Sequence, residues 1–258
     1  MRYALISDIH GNPIALDAVL ADIEIQGGVD GYWFLGDFAA IGFDPVGVLE
    51  RVSTLPNASF IRGNTDRYLI SGERPGPKPE EVHNDSGLIA RLIEMNANLA
   101  WTQGFIQASG WRKWLTELEL EVRMTLPDGT RMLGVHAAPG LDDGPGIHPG
   151  LSDNELRTLL APARADLVIV GHTHFPLERR VDGMHVLNLG SVSNPIIPEL
   201  QATYALLKAD ANGYQLHPRF VDYDHQAVIT AIERSHHPAA EFLTQFMRGE
   251  RVSSWAHA

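Results

Sequence analysis

Residues 167–174 read Leu-Val-Ile-Val-Gly-His-Thr-His and leave the fold few options. The apolar, β-branched run is too short for a helix and reads as a buried strand. The glycine ends it and lets the backbone turn tightly. On leaving such a strand, His172 and His174 can point into one crevice above its carboxyl end, where open α/β sheets bind their ligands. Neutral imidazole is the commonest metal ligand, so the pair reads either as metal donors or as two solvated loop histidines.

Other strands repeat the layout. Tyr3 to Ser7 forms a first buried strand and runs into Asp8-Ile9-His10, with Gly11-Asn12-Pro13 opening a helix whose apolar face is Ile14, Leu16, Ala18, Val19, Leu20 and Ile23. Gly27-Gly28 stops that helix. Tyr32 to Leu35 is a second buried strand and ends in Gly36-Asp37. Asp44 caps a helix over 46–52 with Pro45 at its first position. Ala58 to Ile61 is a third strand, followed by Arg62-Gly63-Asn64-Thr65-Asp66. This alternation predicts a layered α/β fold with right-handed crossovers.

Residues from 67 to about 115 break the pattern and predict a small helical insert, with a helix over 87–98 and an aromatic-rich stretch around Trp101, Phe105, Trp111 and Trp114. Those rings are read as packing of the insert, and the insert is expected to cap the site. Asp128-Gly129 between two β-type runs, 119–126 and 130–135, predicts a hairpin whose second strand delivers His136. The Gly- and Pro-rich loop 141–150 holds His148, and Ser152 with Glu155 forms a capping box for a helix over 152–160. His185 to Leu189 is a strand. Tyr204 to Leu207 and Tyr214 to Tyr223 pair around Asn212-Gly213. A helix over about 227–247, broken near Pro238, closes the chain, and His236-His237 within it is read as surface. The whole chain, 1–258, is expected to be one domain.

Composition narrows the function. The sequence has no cysteine, so a metal site must use nitrogen and oxygen donors, and a reducing, cytoplasmic setting is expected. The net charge of -12 argues against tracking along a nucleic-acid backbone. It leaves room for a small phosphate ester, because bound divalent cations would set the local field. No signal peptide is visible at the N-terminus, and no stretch approaches the roughly 18 apolar residues of a membrane span.

Seven donors stand at the ends of five strands: Asp8, His10, Asp37, Asn64, His136, His172 and His174. Seven are too many for one closed four-ligand site and suit two octahedral or five-coordinate ions sharing a carboxylate. Ions about 3.5–4 Å apart can clamp an in-line displacement at phosphorus. The ordered set Asp8-x-His10, Gly36-Asp37, Gly63-Asn64-x-Asp66, Val135-His136 and Gly171-His172-Thr173-His174 resembles the calcineurin-like metallophosphoesterase superfamily from residue 5 to about 195. Asn188-x-Gly190-Ser191-Val192 is similar to the segment after the family's last ligands. The resemblance implies a four-layer α/β/β/α sandwich. It also implies that Asp8, His10, Asp37 and His174 hold one ion and Asp37, Asn64, His136 and His172 the other. The ions would be Mn²⁺ in the first place, with Fe, Ni, Co, Zn or Mg as alternatives. Catalysis is then assigned to Asn64, His136 and Asp66, and substrate contact to Asn64, Thr65, Arg62 and His148.

The chain departs from the family at position 65, where many members carry a histidine that serves as general acid or phosphate contact. Threonine cannot protonate a leaving group at neutral pH. Asp66, which would orient that histidine, is then read as an ion-pair partner of Arg62 or Arg67, and His148 as a substitute acid. The small members with Gly-Asn-x-Asp resemble phosphodiesterases. The expected activity is therefore phosphodiester hydrolysis by a metal-bridging hydroxide, with a phosphomonoesterase or a non-catalytic metal-binding scaffold as the alternatives.

Overall fold

The computed structural model describes residues 1–250. In chain order it contains β1 (Arg2–Ile6), α1 (Pro13–Ile25), β2 (Gly31–Leu35), α2 (Pro45–Ser53), β3 (Ala58–Ile61) and α3 (Asn64–Ser71). The insert follows as α4 (Pro79–Asn84), α5 (Ile89–Ala108) and α6 (Arg112–Thr116). Then come β4 (Glu121–Thr125), β5 (Arg131–Val135), α7 (Asp153–Leu160), β6 (Leu167–Val170), β7 (Pro176–Val181) and β8 (Met184–Leu189). The chain continues through β9 (Ala202–Asp210), β10 (Gly213–Val221), α8 (His225–Ser235) and α9 (Ala240–Met247).

The strands form two five-stranded sheets, ordered β10-β9-β1-β2-β3 and β4-β5-β6-β8-β7. In each, three neighbouring strands run parallel (β1, β2, β3; β5, β6, β8); the first sheet is extended by the antiparallel hairpin β9-β10, whose β9 opposes β1, and the second is flanked by β4 and β7, each antiparallel to its neighbour. Strand alternation sorts the side chains into layers. Leu5, Trp33 and Leu35 of the first sheet meet Leu167, Ile169, Leu187 and Leu189 of the second in the inter-sheet core. On the outer face of the first sheet, Ala4, Ile6 and Phe34 pack with Leu16, Val19 and Ile23 of α1 and with Val48 and Leu49 of α2. On the outer face of the second, Val168, Val170 and Val186 pack on Leu156 and Leu160 of α7. This is the expected α/β/β/α sandwich. Because β2, β6 and the buried part of β1 (Ala4 to Ile6) are covered on both faces, those stretches carry no charged residue.

Local signals place the elements. Asn12, at the N-cap of α1, accepts from the amide of Ala15, Asp44 accepts from Gly47 at the start of α2, and Ser152 and Glu155 cap α7 reciprocally. The long helix of the insert differs from expectation in extent. It runs to Ala108, and the aromatic rings of the insert brace the helical layer: Trp114 meets Phe38 and Phe60 edge-on at centroid distances of 5.4 and 5.2 Å. The insert packs on α2 and α3, and one of the segments that reach the strand-end donors is the loop after β5. The strand β7 was not anticipated. It opens with a proline and carries Glu178-Arg179-Arg180, the composition of an exposed edge strand. His237 is also not a surface residue. It is 3% exposed, in the turn between α8 and α9, with its ring edge-on to Trp101 at 4.6 Å.

Candidate metal centre

The carboxyl ends of β1, β2 and β3 in one sheet and of β5 and β6 in the other converge, and the turns that leave them are laced together. The amide of Asp8 donates to Gly36, His10 to Asp37, Gly171 to His136 and Ser193 to Asp8, all at 2.9–3.2 Å. This lacing forces an unusual backbone. Asp8, His10, Asp37, His172 and His174 all have φ between 46° and 69°, the left-handed region that side chains other than glycine seldom enter. The turns also pass too close for side chains at Gly63 and Gly171. A Cβ on Gly63 would lie 2.0 Å from Asp37 Oδ1, and one on Gly171 would lie 2.1 Å from Ser7 Oγ.

Each of the two carboxylates is tied by one oxygen and aimed by the other. Asp8 Oδ2 accepts from Ser7 Oγ at 2.6 Å and from the amide of His172 at 3.0 Å. That leaves Oδ1 at 3.1 Å from His174 Nε2 and 3.6 Å from His10 Nε2. Asp37 Oδ1 accepts from the amide of Thr65 at 3.0 Å. Its Oδ2 then stands 3.6 Å from His10 Nε2 and 3.5 Å from His136 Nε2, between the two halves of the cluster. Asn64 Oδ1 completes the second half, 3.1 Å from His136 Nε2 and 3.0 Å from His172 Nδ1.

The four imidazoles share one design. Each places one ring nitrogen on a backbone carbonyl: His10 Nδ1 on Ala40, His136 Nδ1 on Leu35, His172 Nε2 on Gly144 and His174 Nδ1 on Asn194, at 2.6–3.1 Å. A carbonyl can only accept, so each of these nitrogens carries the proton and the opposite nitrogen presents a lone pair inward. Metal-binding histidines are oriented in this way. The inward Nε2 atoms of His10 and His174 are 3.1 Å apart. Two lone pairs at that distance repel unless a cation stands between or beside them. Asp8, His10 and Asp37 are at most 3% exposed, and a buried charge needs a partner. The donor set therefore fits divalent cations, and it is all nitrogen and oxygen.

The electrostatics tell the same story for the chain without ions. Burial works against the charge of Asp8 and Asp37, but the facing histidines hold Asp8 well below the usual carboxylate range and Asp37 down at about 2. Burial likewise disfavours charging His10 and His136. The hydrogen bond from Asp8 and the charge of Asp37 nevertheless raise His10, and the charges of Asp37 and Asp8 push His136 up to about 10. The cluster recruits positive charge, in the form of protons when nothing else is bound. His172 moves the other way, held below the usual imidazole range by burial and by neighbouring His136.

Four of the residues expected at the site, Asp66, Thr65, His148 and Arg62, have partners within the fold or the neighbouring loop. Asp66 pairs with neither Arg62 nor Arg67. Fully buried, it accepts from the amides of Asp37 (2.8 Å), Phe38 (3.1 Å) and Gly63 (2.8 Å), pinning together the turns after β2 and β3. Burial and the charge of Asp37 push it up to about 7, opposed by those three amides. Thr65 contributes its amide, while its hydroxyl is buried and has no hydrogen-bond partner among the described residues. His148 accepts from the amide of Gly150 at 3.2 Å within its own loop. Arg62 reaches into that loop and donates to Asp142 at 2.8 Å. In the sequence Asn188 stands only as part of the Asn188-x-Gly190-Ser191-Val192 pattern. Its Nδ2 braces the turn after β6 by donating to the Gly171 carbonyl, the Ile147 carbonyl and Thr173 Oγ1 at 2.8–2.9 Å. Ser191 Oγ likewise donates to the Asp8 carbonyl at 2.8 Å.

Comparison with known proteins places this geometry. A model of the calcineurin-like phosphoesterase superfamily domain matches residues 1–212. A metallophosphoesterase from Sphaerobacter thermophilus of known structure is 27% identical, with a TM-score of 0.71 over 97% of this chain and 99% of that one. An uncharacterized protein of Methanocaldococcus jannaschii is 28% identical over 243 residues, 86% of this chain and 87% of the relative. A symmetrical bis(5'-nucleosyl)-tetraphosphatase from Pectobacterium carotovorum is 35% identical over a shorter stretch of 72 residues, 28% of this chain and 26% of that enzyme.

Proposed function

Because the chain belongs to the calcineurin-like phosphoesterase superfamily, we propose that it hydrolyses phosphodiester-type substrates with two divalent ions, Mn²⁺ foremost. Asp8, His10, Asp37 and His174 would hold one ion and Asp37, Asn64, His136 and His172 the other. Asp37 Oδ2, equidistant to within 0.1 Å from an inward nitrogen of each half, is the observation that carries this reading. When bound, such ions would supply Lewis acidity toward the phosphoryl oxygens and acidify a water molecule.

The chain's own residues then have three tasks. Ser7, the His172 amide and the Thr65 amide fix the two carboxylates so that one oxygen of each faces inward. The four backbone carbonyls fix the imidazole tautomers. Asn64 and His136 border the place where the phosphoryl group would sit. Position 65 holds a threonine, whose hydroxyl cannot protonate a leaving group at neutral pH. This favours leaving groups stable as anions. A phosphate in a polyphosphate chain is one, and a dinucleoside tetraphosphate, the substrate type in the name of the Pectobacterium relative, would provide it. All seven donors are present, which favours an enzyme over a scaffold. We further propose that the chain acts as a single domain in the cytoplasm.

The test is turnover of bis(p-nitrophenyl) phosphate, p-nitrophenyl phosphate and a dinucleoside tetraphosphate after metal stripping and return of Mn²⁺, Ni²⁺ or Mg²⁺. We expect metal-dependent turnover with the diester or tetraphosphate ahead of the monoester, and at least a 100-fold loss in Asp37→Ala. Wild-type turnover and metal content in Asp37→Ala would overturn the assignment. Preference for the monoester would overturn the diester reading alone.

A further inference from the structure

The loop after β5 ties the two sides of one half of the centre together. Asp142, with its side chain 8% exposed, accepts from Nε of both Arg62 and Arg67, at 2.8 and 3.1 Å. Asp143 accepts from the Tyr68 phenol and, at 3.1 Å, from Arg67 Nη2. The next residue, Gly144, offers the carbonyl that receives His172 Nε2 at 2.8 Å. Gly146, at φ +64°, lies against the same ring: a Cβ there would meet His172 Cδ2 at 2.8 Å and Thr173 Cγ2 at 2.6 Å. Ile147 anchors the far end by accepting from Asn188 Nδ2 and Thr173 Oγ1.

Arg62, Arg67 and Tyr68 flank Asn64 in sequence, so the loop joins the start of α3 to the turn after β6. Asn64 and His172, the donors on those two elements, are 3.0 Å apart. The other half of the centre is built differently. His10 and His174 rest on the carbonyls of Ala40 and Asn194, neither in this loop.

We propose that Asp142 is a positioning residue for one ion only, the one assigned to Asn64, His136 and His172, and that it acts through the bond from His172 to Gly144. The proposal rests on the two-ion reading above. Two guanidiniums on one buried carboxylate make a stiff, charge-assisted anchor. Without it, residues 142–146 lose Arg62 and keep only the bonds from Arg67 and Tyr68 to Asp143. The Gly144 carbonyl is then held less firmly against the His172 ring, whose tautomer and direction it sets. Loss of such an outer partner typically lowers metal affinity about 10–100-fold.

The experiment is Mn²⁺ titration by calorimetry of metal-stripped wild type, Asp142→Asn, Asp142→Glu and Gly146→Ala, with circular dichroism and melting of the metal-free proteins alongside. Wild type should take up two ions. Asp142→Asn should keep one at wild-type affinity and weaken the other about 10–100-fold. Gly146→Ala should give the same split, because its methyl group displaces the ring without touching Asp142, and it keeps the test open if Asp142→Asn folds poorly. Asp142→Glu should recover part of the lost affinity. A purely structural role would weaken both ions together. Equal weakening, or two unchanged affinities, overturns the proposal. Fewer than two ions in wild type overturns the two-ion reading itself, and this proposal with it.

Discussion

Replacing Asp66 tests how the chain holds its centre together. The carboxylate accepts three backbone amides, from Asp37, Phe38 and Gly63. Each hydrogen bond to a charged group contributes roughly 1.5–3 kcal/mol, so the three together stand at about 4–9 kcal/mol before burial of the carboxylate is set against them. Desolvating that group costs several kcal/mol. Asp66→Ala relieves this cost but leaves three buried amides without partners, and we expect a net loss of about 3–5 kcal/mol. That is a large share of the roughly 5–15 kcal/mol by which domains are stable. Asp66→Asn keeps one accepting oxygen but turns an amide group toward a backbone N–H, and should lose about 2–3 kcal/mol. Urea denaturation of the metal-free proteins at about pH 8.5, above the value of about 7 to which Asp66 is raised, would read both values with the carboxylate charged. Because the amide of Asp37 bonds one oxygen of Asp66 and that of Phe38 the other, an asparagine can hold only one of them, and the shared carboxylate of Asp37 also shifts. Folded Asp66→Asn should therefore lose at least tenfold in kcat with the diester. Wild-type stability joined to lost activity would refute this reasoning and return Asp66 to a direct part in proton transfer.

Two further outcomes follow from buried polar groups. Thr65→Val keeps the shape of the side chain and the amide that holds Asp37 while removing a hydroxyl that is buried without a partner among the described residues. It should raise urea stability by about 1 kcal/mol and leave diester turnover within threefold; a tenfold loss of turnover would mean that the hydroxyl meets the substrate. His237 is held by burial at about 4, against an ordinary 6.5. The unfolded chain takes up this proton first, so stability falls as pH drops from about 6.5 through about 4, by up to about 3 kcal/mol. His237→Phe, which retains a ring against Trp101, should remove that component, so stabilities measured at pH 7 and pH 4.5 should lie closer together in the variant than in wild type.

Most of the candidate centre was legible in the sequence because strand ends announce themselves. An apolar run that stops at glycine or a tight turn and is followed by Asp, Asn or His leaves the donor beside other strand ends. Asp8, His10, Asp37, Asn64, His136, His172 and His174 all obey this, and the structure brings their side chains within 3.6 Å of a neighbouring donor. The supports were less visible because they act across long separations. Asp142 meets Arg62 and Arg67 over 80 and 75 residues, and nothing in the pattern near Asp142 marks it. Asp66 carries the family's pattern, yet it works on amides whose direction only the folded turns define. His237 was misread for a related reason. Its neighbour in sequence suggests a polar turn, and its burial comes from Trp101, 136 positions earlier. The insert lacked the strand periodicity that ordered the rest, so its helix was recovered only in part.

The left-handed backbone at five of the seven donors ties the centre to the fold. A residue other than glycine in that region costs of order 1–3 kcal/mol, so the five together withhold several kcal/mol from folding. The same turns offset this with hydrogen bonds that no regular strand or helix offers. The Asp8 amide reaches Gly36, the Asp8 carbonyl receives both Ser193 N and Ser191 Oγ, and Asp66 receives the amide of Asp37. Relieving the strain by placing glycine at these positions would delete the donors. Straightening the turns would break the lacing that brings five strand ends together. The strain and the clustering of donors are thus one feature. A chain with these sheets but relaxed turns would keep its core of Leu5, Trp33, Leu167 and Ile169 and lose the convergence on which its chemistry depends.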